Sequence, residues 1–265
     1  MEIQKILFPQ IGRCTEEELY FRLDSKFRES QEKVRTQFLY EKQRIDFEKQ
    51  GKVWFDTYFN GLSIEKWVKY TNIDSVSLRL KISGKFRVFL INKEKVNVIV
   101  SEKIVAEYIL ESVEPQEFTV PYIDGSSKGM YTFVLEALKK DSTFYGGAYV
   151  SDIDKDKIKY TKIGIGICTF KREAFIEKNI KILNEAILEN ECSPLHGHLE
   201  VFIADNGKSL DMERLKSDKI HIFPNRNLGG AGGFTRDIIE MSQNNDKYHI
   251  THTLLMDDDI VIEPE

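Results

Sequence analysis

The sequence predicts an α+β chain: an antiparallel β-sandwich of jelly-roll type over residues 1–155, then an α/β domain over residues 156–265. Three observations predict it. Up to about Val150 apolar residues recur with period two, as in Val76, Leu78, Leu80 and Ile82 against Ser77, Arg79 and Lys81. That is the signature of half-buried strands, and short strands with frequent turns suit a sandwich. Beyond Tyr160, apolar strands alternate with segments of helical spacing, which implies a mostly parallel sheet with right-handed crossovers. Between the two, Asp152-Ile153-Asp154-Lys155-Asp156-Lys157 carries charge without an apolar pattern, as a hinge between domains does.

A chain of 265 residues with 41% hydrophobic and 31% charged residues can build a sizeable core, which argues against global disorder. A net charge of −5 argues against a nucleic-acid partner. The three cysteines, Cys14, Cys168 and Cys192, are too few and odd in number for a disulfide framework and fit a reducing cytoplasm. Ile6-Leu7-Phe8 is too short for a signal-peptide core, and no run of 18 apolar residues occurs. A soluble cytoplasmic protein is the expectation.

In chain order, Glu18–Leu23 reads as a first strand, and residues 24–44, dense in charge, as loop or short helix. Val53–Phe59 is aromatic and β-branched, as strands are. Ser63 is placed to cap a short helix running through Tyr70. Ser83-Gly84-Lys85 reads as a turn between two alternating runs, the second carrying Phe86, Val88 and Leu90. Val96–Val100, Phe118–Tyr122, Tyr131–Leu138 and Phe144–Val150 continue the strand series. The aromatics Trp54, Tyr58, Phe59 and Trp67 suit a core, with a carbohydrate-stacking platform as the alternative.

In the second part, Lys162–Cys168 is a strand of Ile and Gly buried on both faces. Phe175, Ile176, Ile180, Leu183, Ile187 and Leu188 recur at helical spacing. Leu199–Ala204 and Ile220–Phe223 are further strands, Phe234 to Met241 a second helix, and His252–Met256 the fourth strand. Polar residues fall where these strands end: Arg172 after the first, Asp205 after the second, and Asp257-Asp258-Asp259 after the fourth. Ligands of open α/β sheets meet that carboxyl edge.

Each of these has two readings. Three adjacent carboxylates are hard oxygen donors that suit Mg²⁺ or Mn²⁺ beside a phosphate, or else a solvated acidic turn. An arginine at the edge suits a diphosphate. Asp205 can accept from a base or ribose, or can close an Asx turn with Asn206 and Gly207. Asn227-Leu228-Gly229-Gly230-Ala231-Gly232-Gly233-Phe234 lets backbone approach a ligand before a helix, or is a flexible loop. It is not GxGxxG, because both its spacing and its place after the third strand differ. Cys192, His196 and His198 lie in a polar loop and read as surface rather than zinc ligands.

With these motifs in view, the chain resembles the family-2 glycosyltransferases of the GT-A fold, and in particular the galactofuranosyltransferases that build bacterial galactan. The resemblance rests on Cys168-Thr169-Phe170-Lys171-Arg172, Asp205-Asn206-Gly207, the Asn227–Phe234 run, and Leu255-Met256-Asp257-Asp258-Asp259 with Glu263-Pro264 behind it. In the first part it rests on Thr57-Tyr58-Phe59-Asn60 before Trp67 and on Gly146-Gly147-Ala148-Tyr149. It implies a β-sandwich ahead of a Rossmann-like GT-A domain, here with only the front of that domain present. It also implies UDP-galactofuranose as donor, a glycan or lipid-linked glycan as acceptor, inversion at the transferred sugar, and a place at the inner face of the cell membrane. Phe170, Arg172, Asp205, Asn227, Gly229, Gly230 and Asp258 would then hold the nucleotide sugar, and Asp257 and Asp259 the Mn²⁺ or Mg²⁺. Lys171 departs from the Asn usual before that Arg. The catalytic base is expected beyond Glu265, so the chain by itself is expected to transfer little sugar. The alternatives are a glycan-binding module without chemistry, a rhamnosyltransferase-like enzyme using another nucleotide sugar, and a nucleotidyltransferase, whose Gly-rich loop would follow the first strand.

Overall fold

One long strand explains the architecture of the first part. In the computed structural model, which describes residues 1–12, 14–24, 35–122, 128–215 and 217–264, the chain divides into two units, Met1–Lys157 and Ile158–Pro264. In chain order the first unit holds β1 (Glu2–Lys5), β2 (Arg22–Leu23), β3 (Thr36–Leu39), β4 (Arg44–Phe47), β5 (Lys52–Trp54), α1 (Ile64–Tyr70), β6 (Ser77–Val96), β7 (Ile99–Pro121), β8 (Met130–Ala137) and β9 (Ser142–Val150). All pairings are antiparallel. Strand β6 pairs with β9 over its first part and with β8 over its second, and β7 flanks it throughout.

The expected turn at Ser83-Gly84-Lys85 is therefore absent: the strand runs through it. Gly84 takes φ +93°, and a Cβ there would come within 2.6 Å of the Ser142 backbone, so glycine lets the strand change partners where another residue would be strained. The parity of the buried positions is unchanged, with Leu78, Leu80 and Ile82 before the bend and Phe86, Val88 and Leu90 after it all buried. One hydrogen-bonded antiparallel sheet thus changes partners along β6 at Gly84. Aromatic rings join strands on both sides of that exchange in one core. Phe55 stacks on Phe133 of β8 at 4.3 Å, and both meet Phe144 of β9 edge-on.

Other differences are local. Strand β1 pairs with β9, and β3 falls inside the stretch 24–44 expected to be loop or short helix, forming a hairpin with β4, which lies almost wholly beyond it; residues 25–34 of that stretch lie outside the described residues. The expected Glu18–Leu23 strand is a 3₁₀ turn at Glu17–Leu19 followed by two strand residues. The expected Val53–Phe59 strand stops at Trp54. Helix α1 does begin after Ser63, but the Ser63 side chain makes no capping hydrogen bond.

The second unit holds β10 (Ile163–Thr169), α2 (Glu173–Leu183, continued by a π turn over Asn184–Leu188), β11 (Leu199–Asp205), α3 (Met212–Leu215), β12 (Ile220–Pro224), α4 (Gly229–Gln243), α5 (Asn245–Tyr248) and β13 (His252–Asp257). Its four strands are parallel in the order β12-β11-β10-β13. Period two on β10 sorts the two faces. Ile163, Ile165 and Ile167 join the apolar cluster with Ile176, Ile180 and Leu183 of α2. Gly164, Gly166 and Cys168 face α4, where added Cβ atoms would meet Met241 at 2.7 Å and Asp237 at 3.1 Å. The glycines thus let α4 lie close on the strand. No helix among the described residues is long and apolar enough to cross a membrane.

Candidate functional site

The carboxyl ends of β10 and β13 are adjacent, with Cys168 in register with Asp257. This brings the Thr169–Arg172 segment, Asp257-Asp258-Asp259 and the start of α4 to one edge. The three carboxylates are not equivalent. Asp258 is buried; its carboxylate accepts from Thr169 Oγ1 at 2.8 Å and from Arg172 Nη1 at 3.2 Å, and its carbonyl accepts from Asn179 Nδ2 at 2.9 Å. Asp257 and Asp259 are exposed, and Asp259 also accepts from Arg172. Asp258 anchors the turn, and the outer two carboxylates face solvent. Arg172 is the cation the acidic run needs, and it stays half-exposed while pairing with it.

Phe170 is half-exposed, with the Lys171 ammonium 5.4 Å from its ring centre. Lys171 itself takes φ +53°, a conformation that Asn adopts more readily than Lys. A lysine there holds the turn at some local strain.

Asp205 does not reach outward. It is buried; Oδ1 accepts from the Gly207 N–H at 2.9 Å, and Oδ2 from the N–H groups of Ser209 at 2.8 Å and Leu210 at 2.9 Å. Both oxygens are spent closing their own loop, so the Asx-turn reading describes this residue and a contact to base or ribose does not. Its neighbour Asn206 does more at this edge. Its amide donates to Cys168 Sγ at 3.2 Å and to the Gly229 carbonyl at 3.3 Å, and its oxygen accepts from Asn225 at 2.9 Å. That side chain ties the glycine run to β10. Thr169 and Asn206 stood in the sequence motifs without roles of their own, and Asn179 was not singled out, although a polar residue on the Ile176–Ile180–Leu183 stripe was a signal for it.

The glycine run is neither loop nor spacer: α4 begins at Gly229. Its glycines divide by role. Gly229 takes φ +73°, and Asn227 Oδ1 accepts its N–H at 3.1 Å. A Cβ at Gly233 would lie 2.1 Å from Cys168 Sγ, so that glycine is required for packing. At Gly229 and Gly230 a Cβ would meet nothing within 4 Å. Beyond the Gly229 N–H that Asn227 takes, the first turn of α4 carries no acidic residue, so the positive end of the helix dipole is open to an anion.

Burial first, then the charges of Asp237, Asp258 and Asp257, raises the Cys168 thiol above its ordinary pKa. The group stays protonated at neutral pH and is a poor nucleophile or metal ligand. Among the described residues no three His, Cys, Asp or Glu side chains converge to hold a metal ion; Cys192, His196 and His198 do not form one either. Asp257 and Asp259 are exposed carboxylates, the hard oxygen donors that Mg²⁺ and Mn²⁺ take, and Asp259 is already paired with Arg172.

An aromatic-cored antiparallel unit is followed by a parallel sheet with an acidic edge, and the similarity of the chain to known proteins makes it a glycosyltransferase-related protein. Comparison with known proteins makes this specific. The chain belongs to the family described as Galactofuranosyltransferase 2 N-terminal, whose match covers residues 3–152. It is 26% identical over 230 residues to galactofuranosyltransferase GlfT2 of Mycolicibacterium smegmatis, covering 82% of this chain and 33% of that protein. It is 28% identical over 229 residues to GlfT2 of Mycobacterium tuberculosis, covering 82% and 34%. The chain thus spans about a third of the length of these curated relatives. Among solved structures, a xylanase fragment of Clostridium thermocellum with CBM22 and GH10 modules overlaps 78% of this chain and 39% of its own at 7% identity and a TM-score of 0.31, too loose an overlap to define a shared fold.

Proposed function

We propose that the second unit binds the nucleotide-sugar donor of a family-2, GT-A-type glycosyltransferase, with UDP-galactofuranose as the donor and a growing cell-surface glycan, free or lipid-linked, as the acceptor. The observation that carries this reading is the convergence of Arg172, the open first turn of α4 and the exposed Asp257 and Asp259 on one sheet edge. Arg172 and the α4 N–H groups offer positive potential to a diphosphate. Asn227 shapes that turn through its bond to Gly229. Phe170 offers a half-exposed ring to the nucleotide. Asp258 holds Arg172 and the turn in place instead of meeting the donor. Asp257 and Asp259 would hold Mn²⁺ or Mg²⁺, which when bound neutralises charge on the leaving nucleotide diphosphate. Inversion calls for a base that deprotonates the acceptor hydroxyl on the face opposite the leaving group; no residue of this edge is assigned that role.

Isothermal titration with UDP in the presence of Mn²⁺ tests the reading. Binding should be measurable and should weaken in Asp259→Ala and in Arg172→Ala. Absence of binding by the parent chain, or equal affinity in parent and both variants, refutes it.

A further inference from the structure

We propose that a cleft beside α1 in the first unit is a binding site for an oligosaccharide. The cleft, of about 690 Å³, is lined by the aromatics Tyr58, Trp67 and Tyr70 and by polar residues that include Asp56, Lys93 and Thr132. That volume is in the range of small-ligand sites. Trp67 and Tyr70 stand three residues apart on α1 and so share one helix face. Tyr58 and Tyr70 are 79% and 72% exposed, although the unit has an aromatic core in which such rings could be buried. Two exposed tyrosines and a partly buried tryptophan beside polar groups fit the two sides of a sugar ring, with C–H groups against rings and hydroxyls toward donors and acceptors.

The polar wall is built on paired charges. Asp56 accepts from Arg22 through both oxygens, at 2.9 and 2.6 Å, and from Lys93 Nζ at 2.6 Å. Lys93 also pairs with Glu102. These pairs hold fixed hydrogen-bonding groups toward the cleft, and the exposed Lys66 of α1, which also lines it, adds a further donor for sugar hydroxyls. Thr132 is a second, independent pointer. It lines the cleft and is 2% exposed, and its Oγ1 has no hydrogen-bond partner among the described residues. A buried hydroxyl is rarely left unmet, and a rotation of the Thr132 side chain toward the cleft it lines would let a ligand hydroxyl satisfy it.

The chain has two tryptophans, Trp54 and Trp67, so Trp54→Phe leaves Trp67 as the sole reporter. This variant is titrated with a β-linked galactofuranose hexasaccharide and with cellohexaose, following Trp67 emission. At least one sugar should shift the emission saturably at millimolar concentration. Tyr58→Ala and Tyr70→Ala, each removing an exposed ring, should weaken that binding about tenfold, and Thr132→Val should weaken it while leaving the melting temperature unchanged. No saturable shift with either sugar, or affinities indifferent to both tyrosine variants, overturns the proposal. Sugar binding in a chain that fails to bind UDP would support this site and refute the donor reading of the second unit.

Discussion

The carboxylate of Asp237 gives a quantitative test of how the second unit is packed. It lies on the buried face of α4 against Gly166, is fully buried, and neither oxygen has a hydrogen-bond partner among the described residues. Burial, with the charge of Glu240 adding to it and that of Arg236 opposing it, pushes its pKa up to about 9 from an ordinary 3.8. The folded chain then keeps a proton that the unfolded chain releases near pH 4. Stability is full below that pH and falls as pH rises toward 9, by about 1.4 kcal/mol per pH unit. At pH 7 the loss relative to acid is about 4 kcal/mol, a large fraction of what a domain of this size has to spare. Asp237→Asn keeps the shape and cannot ionise. The amide brings its own unmet donors, costing about 1–3 kcal/mol, so the decisive readout is slope and not level. Denaturation by urea should be followed by far-UV circular dichroism, because both tryptophans lie in the first unit and would not report on α4. Between pH 5 and pH 8 the stability of the parent relative to Asp237→Asn should fall by about 4 kcal/mol. Parallel pH profiles for the two chains would refute the reasoning and mean that Asp237 is solvated or paired.

Three further outcomes are expected. Gly233→Ala should destabilise the second unit by about 1–3 kcal/mol, because its Cβ would overlap Cys168 Sγ; Gly230→Ala, with open space around it, should instead stabilise α4 by about 0.5 kcal/mol while lowering UDP affinity by calorimetry. Asn60→Ala should cost the first unit about 3 kcal/mol in a urea melt, since its buried side chain accepts from the Leu7 N–H at 2.7 Å and donates to the Leu7 carbonyl at 2.9 Å and to that of Tyr20. Arg172→Ala should weaken UDP binding with little change in melting temperature, because the side chain is half-exposed and the buried Asp258 it leaves keeps its hydrogen bond from Thr169; a fall as large as that of a core truncation would count against its role.

Much of this protein was legible from local pattern. Alternation in Leu78–Ile82 and Phe86–Leu90, the Ile and Gly parities of β10, and the three carboxylates at the end of an apolar strand are written within a few residues of one another. Periodicity and strand ends are local properties, so a reading of neighbours finds them. The family motifs around Arg172, Asn227 and Asp257–Asp259 were visible for the same reason.

Only the tertiary structure decided the rest, because it depended on partners far along the chain. Strand β1 has four residues and no internal alternation to announce it; it exists because β9, nearly 150 residues later, supplies its hydrogen bonds. Gly84 looked like a turn, and only the exchange of β9 for β8 along one side of β6 makes it a bend inside a strand. Asp205 and Asp258 are both acidic residues at strand ends, yet the fold fills the first with backbone N–H groups and pairs the second with Arg172 and Thr169. Asp237 sits on a helical stripe where its charge is excluded only because Gly166 lets α4 settle onto β10. In each case composition supplied the chemical group, and burial and long-range pairing decided whether it is a ligand, a strut or a neutral acid.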